Sequence, residues 1–439
     1  MEQIETMKKK WLFLLLFCAL AVALLALFFM KKDVGQPRYF KDQAYYYETL
    51  RALSRCSSRG TDVAEIYATI KGIPSGNEQE WFRAWERTAI RIEKRAESLK
   101  DPISRGWAYF RAHNYRRSAE FFLMASDPKR PESYSKCVEA FYKGLDSLKV
   151  NYERIHVPYE GKSLQAVYYP GPSGSERKPL IVAMPGFDGM QEEVYFTIAS
   201  AATQHGYSVL TFDGPGQGSA LRNQNLKFTA QWEKPVAAVL DEFLRTHQRP
   251  TKIVLFGSSF GGYLAPRAAA FEKRVDGVVA YDVFFDFQEV FLHRIPPFAR
   301  TAMRYLLDNK MDGTVGFLIN VRSWLDPSLR WGFANLRWTM GDGEPAELYR
   351  RLAAYSLKDA AKSIRCDVLI FGGKNDHFIP ENQIKDFQQS LINARSVSTF
   401  VYSEETGGDQ HCQQGAMMLW QEDFFDWLKE KFPPSNHVK

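Results

Sequence analysis

Hydrophobic and polar residues change their spacing three times along this chain. Trp11 to Met30 reads WLFLLLFCALAVALLALFFM, twenty residues without a charge. A helix rising about 1.5 Å per residue matches a hydrocarbon core at that length. Lys8, Lys9 and Lys10 precede the run and Lys31 and Lys32 follow it, while Phe28-Phe29-Met30 stand where the small residues of a signal-peptidase site would be. The pattern predicts an uncleaved, single-pass membrane anchor over residues 1–32, inserted through residues 11–30. Basic residues flank both ends, so its orientation stays open. Residues 33–150 then carry helical spacing and few strand signals; Trp81, Trp85 and Ile90 mark one face of an amphipathic helix between Glu80 and Lys100. Asn114 to Phe122 resembles half of a tetratricopeptide unit, but no second copy recurs, which argues against a solenoid and for a helical cap domain.

From residue 151 the pattern changes again. Arg154–Pro158 and Leu164–Tyr169 flank Glu160-Gly161-Lys162 as a hairpin. Five short apolar runs follow: Leu180–Met184, Ser208–Phe212, Lys252–Phe256, Val278–Tyr281 and Asp367–Phe371. Helical stretches at Ala199–His205, Trp232–Thr246 and Tyr263–Phe271 separate them. Continuous apolar strands alternating with helices predict a mostly parallel sheet covered on both faces, an α/β domain over residues 151–439. Arg- and Trp-rich helical material at about 284–358 interrupts the alternation and predicts a lid insertion.

Composition narrows the functions. Lys and Arg number 57 against 51 Asp and Glu, a net charge of +6 over 439 residues. That excess is too dilute for a nucleic-acid partner. The five cysteines show no metal-ligand spacing, so neither a disulfide framework nor a metal is expected. Asp213-Gly-Pro-Gly-Gln-Gly218 lacks the spacing of a dinucleotide loop, and Pro215 removes a phosphate-facing donor. It reads as a rigid turn, and no cofactor is expected.

The candidate chemistry lies in Gly257-Ser258-Ser259-Phe260-Gly261-Gly262, which follows an apolar strand and opens a helix. A strained serine at such a junction needs small neighbours, so Ser259 is the candidate nucleophile, with Ser258 as its rival. A serine hydroxyl needs a base, and the base an orienting acid. Of the histidines after Ser259, His411 lies in a loop before the final helix, whereas His293 falls in the lid and His437 in a polar tail. His377 adjoins Asp376 and stays a rival base. Asp376 follows the Asp367–Phe371 strand and is the candidate acid; Asp282 and Asp286 are the rivals. As base, His411 is expected to titrate near the ordinary histidine value, about 6–7. The backbone N–H groups of Phe260 and Phe187 are the candidate oxyanion donors, with Asp188 as the alternative to Phe187.

With Gly257–Gly262, Asp376 and His411 in this order, the chain resembles an α/β-hydrolase. Phe212–Gly218, Pro185-Gly-Phe-Asp-Gly189 with Glu192-Glu193, and Arg116–Phe122 are similar to the FrsA-like esterases, a group that includes dihydroxypseudooxynicotine hydrolase and fungal polyketide-shortening hydrolases. The resemblance covers roughly residues 80–430 and implies an active site between a helical N-terminal domain and the hydrolase domain. The anchor is not typical of that group, and the Ser259–Asp376 interval is long for it. The expected activity is hydrolysis of an ester, thioester or activated C–C bond. The same triad also suits an acyltransferase or cyclase, and an inactive membrane-tethered interaction protein is the third reading. The expected partner is a small apolar or aromatic acyl substrate, with a homodimer left open.

Overall fold

The computed structural model describes residues 39–434. Five helices come first: α1 (Gln43–Ser54), α2 (Val63–Ile70), α3 (Glu78–Ser98), α4 (Pro102–Glu120) and α5 (Arg130–Ser147). Asp42, Asp62, Asn77 and Asp101 cap the first four, each side chain accepting a backbone N–H of the first turn. A capped start satisfies donors that a helix otherwise leaves unpaired. Helix α3 buries Trp81, Trp85, Ala89 and Ile92, with the Trp81 indole donating to the Ser118 carbonyl at 2.7 Å. Ile90, expected on the same face, points to solvent, because Ile92 and not Ile90 continues the row begun by Trp81 and Trp85.

Eight strands follow: β1 (Glu153–Tyr159), β2 (Lys162–Tyr169), β3 (Leu180–Met184), β4 (Ser208–Asp213), β5 (Ile253–Ser258), β6 (Gly277–Tyr281), β7 (Asp367–Gly373) and β8 (Ser396–Tyr402). They form one sheet in the order β1-β2-β4-β3-β5-β6-β7-β8, parallel from β4 through β8 and antiparallel at β1/β2 and β2/β4. Strands β3, β4, β6 and β7 are buried at every position, whereas β1 alternates, as expected of covered and half-covered strands. One apolar cluster lies on each face of the sheet, and a third fills the helical domain around Trp81, Trp85, Tyr115 and Phe122.

Between β6 and β7 the chain leaves the sheet for five helices, Phe287–His293, Pro297–Asp308, Asp312–Leu325, Pro327–Met340 and Pro345–Leu352. This insertion reaches the helical domain: Trp331 stacks on Phe121 at 4.5 Å and donates its indole N–H to the Phe121 carbonyl.

The expected membrane helix is corrected here. Among the described residues no helix is long and apolar enough to cross a membrane. Residues 1–32, on which that expectation fell, lie outside the described residues, and those that are described form an α/β-hydrolase sheet with a helical domain and a lid.

Candidate functional site

Strand β5 ends at Ser258, and the next residue, Ser259, takes φ 59° before the helix Gly261–Phe271 begins. That left-handed conformation is strained for a non-glycine residue. It is held by a bond from the Ser259 N–H to the Tyr281 carbonyl at 2.6 Å and from the Gly262 N–H to the Ser259 carbonyl at 2.7 Å. Two glycines make the turn possible through close approach. A Cβ on Gly257 would lie 1.9 Å from the Gly261 oxygen, and one on Gly262 would lie 1.6 Å from the Asp282 oxygen.

Three residues predicted from their order meet at this turn. His411 Nε2 lies 2.8 Å from Ser259 Oγ, and His411 Nδ1 lies 2.6 Å from Asp376 Oδ2. Asp376 is aimed by its own loop, since its Oδ1 accepts the N–H groups of Phe378 at 2.7 Å and Ile379 at 2.9 Å. Both His411 and Asp376 are buried. Burial works against a charge on His411, but the Asp376 carboxylate, with Asp282 beside it, outweighs this, and the imidazole pKa rises well above its ordinary value. The expected titration near 6–7 therefore does not hold for this geometry.

The rivals separate by position. Ser258 Oγ meets the Cys412 thiol at 3.8 Å, whereas it is Ser259 Oγ that meets the imidazole. His377 is wedged against Tyr47 and Phe378, its ring centre 6.2 Å from that of His411. Asp286 caps the helix Phe287–His293 and pairs with Lys358. Asp282 is different: its Oδ2 also lies 3.1 Å from His411 Nδ1. Asp282, His411 and Cys412 bring potential ligand atoms within 4.8 Å of one another, but burial pushes the Cys412 thiol up, away from the thiolate a metal would take.

The loop after β3 lies against the serine turn, for a Cβ on Gly186 would meet Ser259 Cβ at 2.8 Å and the Phe260 nitrogen at 3.2 Å. The Asp213–Gly218 turn fixes this loop. Gln217 Nε2 donates to the carbonyls of Pro185 at 2.6 Å and Gly186 at 3.1 Å, while the Asp213 carboxylate accepts the N–H groups of Gln191 and Ser219. Among the described residues the N–H groups of Phe187 and Phe260 have no backbone or side-chain acceptor. They remain available to a ligand. Phe187 itself stacks on Phe228 at 5.7 Å.

A cavity of about 220 Å³ opens over Ser259, walled by Phe187, Phe284, Phe287, Phe291, Phe333 and Phe378, with Trp331 and Arg294 from the lid. Helix α1 supplies a further wall through Tyr47, Glu48 and Arg51, with Arg55 just past its end. Sequence reasoning missed this contribution; the available signal was Arg51 and Arg55 one turn apart behind three tyrosines. The residues that carried the family resemblance join the units around this wall. Glu193 accepts from Arg51 and Arg117, each at 2.8 Å, and these cations hold its pKa far below the carboxylate range against burial. Glu120, likewise lowered to about 2, pairs with Arg130 at 3.0 Å and with Arg222 of the hydrolase domain at 2.8 Å. At the far end of α1 the Ser54 hydroxyl accepts the Gly415 N–H at 2.6 Å, fastening the histidine loop to the helical domain.

Comparison with known proteins agrees with this architecture. A family model described as Esterase FrsA-like matches residues 45–287, and one described as the alpha/beta hydrolase family matches residues 181–414. The chain is 32% identical over 411 residues to Hydrolase LUC6 of Fusarium sp, covering 90% of this chain and 97% of that protein. It is 30% identical over 414 residues to the 20-hydroxy-prefusarin hydrolase FUS2 of Gibberella moniliformis, covering 90% and 98%. The solved structure of a 2,6-dihydroxy-pseudo-oxynicotine hydrolase superposes with a TM-score of 0.67 at 21% identity, covering 87% of this chain and 98% of that one.

Proposed function

The chain belongs to the FrsA-like esterases of the α/β-hydrolase family, and on that premise we propose that it cleaves an ester, thioester or activated C–C bond of a small apolar or aromatic substrate through Ser259, His411 and Asp376. It is an enzyme of hydrolase type. The observation that carries the triad is the single imidazole bridging the two others, 2.8 Å from the Ser259 hydroxyl and 2.6 Å from the Asp376 carboxylate.

In this reading the Ser259 oxygen attacks the substrate carbonyl carbon as its proton passes to His411 Nε2. The Nδ1–H stays between His411 and Asp376, which fixes the tautomer and stabilises the imidazolium. The N–H groups of Phe187 and Phe260 receive the oxyanion, supported by the position of Gly186 against the serine turn. The bond to the leaving group breaks, and the leaving atom takes the proton from Nε2. Water, deprotonated by the same nitrogen, then attacks the acyl-enzyme; the acyl bond to Ser259 breaks, Nε2 returns the proton to the Ser259 oxygen, and the acid is released. The aromatic lining of the cavity supports an apolar substrate, since such walls gain most from apolar surface.

Ser259→Ala is expected to lose turnover and covalent labelling by a fluorophosphonate while keeping its thermal unfolding transition. Ser258→Ala is expected to retain both. Labelling that survives in Ser259→Ala and vanishes in Ser258→Ala would refute the assignment. A panel of acyl esters, thioesters and aryl β-diketones separates the bond classes, and a product lacking the elements of water would mark acyl transfer or cyclisation instead.

A further inference from the structure

We propose that Asp282 is a second carboxylate for His411, a positioning residue that shares with Asp376 the task of holding the imidazolium. The inference rests on the reading of Ser259 and His411 given above. It starts from the sheet. Strands β6 and β7 are parallel neighbours in register from Gly277↔Asp367 to Tyr281↔Phe371. Asp282 is the first residue past β6, and Asp376 lies just past β7, so both side chains issue from the same edge. Gly262 lets the elbow helix sit directly on the Asp282 carbonyl, which keeps that strand end close to Ser259.

The two acids meet one nitrogen. Asp376 Oδ2 is 2.6 Å and Asp282 Oδ2 is 3.1 Å from His411 Nδ1, and all three residues are buried. One N–H cannot point straight at both, so the shorter contact carries the bond and the longer one adds charge. Asp282 also accepts the Cys412 N–H on Oδ2 and the Gln413 amide on Oδ1 at 3.2 Å. Those donors belong to residues with φ 50° and 41°, left-handed positions that non-glycine residues hold only when fixed from outside. Asp282 thus grips the loop on which the imidazole stands and faces the imidazole itself. The remaining groups around the ring are Tyr47 from α1, His377 and Phe378 from the loop after β7, Phe284 after β6, and Cys412 beside it. Among the described groups facing it, the two aspartates are the carboxylates.

During acylation the Ser259 proton moves to Nε2, and the resulting cation lies between two negative oxygens. Removing one charge must make that cation easier to discharge. A loop anchor alone would change the rate without changing where the imidazole titrates, and this difference supplies the test. The readout is the rate of fluorophosphonate labelling of the full chain from pH 5 to 10, which needs no knowledge of the natural substrate. Asp282→Asn, which can still accept the Cys412 N–H, is expected to lower the plateau rate about 10- to 100-fold. It should also move the acid limb of the profile to lower pH. Asp376→Asn is expected to keep measurable labelling, and the Asp282→Asn/Asp376→Asn double variant to fall to the level of Ser259→Ala. Gln413→Ala loosens the same loop without touching a charge, and its limb should stay in place.

Should Asp282→Asn fail to fold, Asp282→Glu carries the test: with the charge restored its limb is expected at the wild-type position. A limb that stays put in Asp282→Asn, or one that moves equally in Gln413→Ala, overturns the proposal and leaves Asp282 a loop anchor. These outcomes are distinct from failure of the functional reading, which would appear as labelling that persists in Ser259→Ala or His411→Ala.

Discussion

The titration of His411 decides when the site can work. Burial disfavours the imidazolium, but Asp376 and Asp282 raise its pKa well above 6.5. The base must be neutral to take the Ser259 proton, so activity is absent while the group is protonated and appears as pH rises through the raised value. Reaction with a fluorophosphonate is therefore expected to climb on the alkaline side of the ordinary histidine range, about 6.5. A half-maximal rate at or below that value would contradict the electrostatic picture. At this scale the sequence was informative about Ser259, Asp376 and His411, because a strand–turn–helix serine and two late loops leave few other places for them. It could not rank Asp282 against Asp376. Order along the chain says which residues leave the sheet edge, and only the pairing of β6 with β7 says that both reach one nitrogen. Nothing local marks Tyr47, whose burial against His377 and Phe378 is made by distant parts of the chain.

Among elements, the buried parallel strands were the most legible, since β3 to β7 are short and mostly apolar. The turn Asp213–Gly218 could be read as rigid but not as a brace, because its targets lie in another loop. Gln217 is that brace, and its amide holds the two carbonyls that precede the Phe187 N–H. Gln217→Ala should let the loop relax and lower kcat about 10-fold, less than deleting an oxyanion donor outright, which costs about 100- to 1,000-fold. KM should change little, because the aromatic wall stays in place. Steady-state kinetics on any turned-over ester would check this, and an unchanged kcat would remove the brace from the account.

For the whole molecule, the contacts between the two units are ionic as well as apolar. Glu193 sits among Arg51, Arg55 and Arg117, at 2.8 Å from the first and last and 3.9 Å from Arg55. Glu193→Gln removes the carboxylate of the buried Arg55 and Arg117, while Arg51 keeps Glu48 and Asp188, and is expected to destabilise by about 3–5 kcal/mol, as when one partner of a buried pair is removed. Urea unfolding followed by tryptophan fluorescence measures this. Because the folded pKa of Glu193 is depressed, its contribution is present above the unfolded value of about 4.3 and fades as pH falls below it. The difference between wild type and Glu193→Gln should therefore shrink toward acid pH, and a constant difference would argue against the charge as its source. The division into helical and α/β parts was legible in the change of hydrophobic period. The ion pairs that join the parts were not, since the resemblance marked Glu193 and Arg117 without saying that they meet, and Trp331 looks like an ordinary lid residue until the fold sets it against Phe121.

The bond from the Gly415 N–H to the Ser54 hydroxyl joins residues 361 positions apart. Bringing such distant points together carries a loop-closure entropy of about 5 kcal/mol, which the rest of the fold must offset for the clasp to hold. Synthesis delivers Tyr47 first, Ser259 later and His411 after it. A growing chain therefore holds the hydroxyl well before it holds the imidazole that would deprotonate it. The last member of the proposed triad to be made thus stands on a loop fastened to the first described helix to be made.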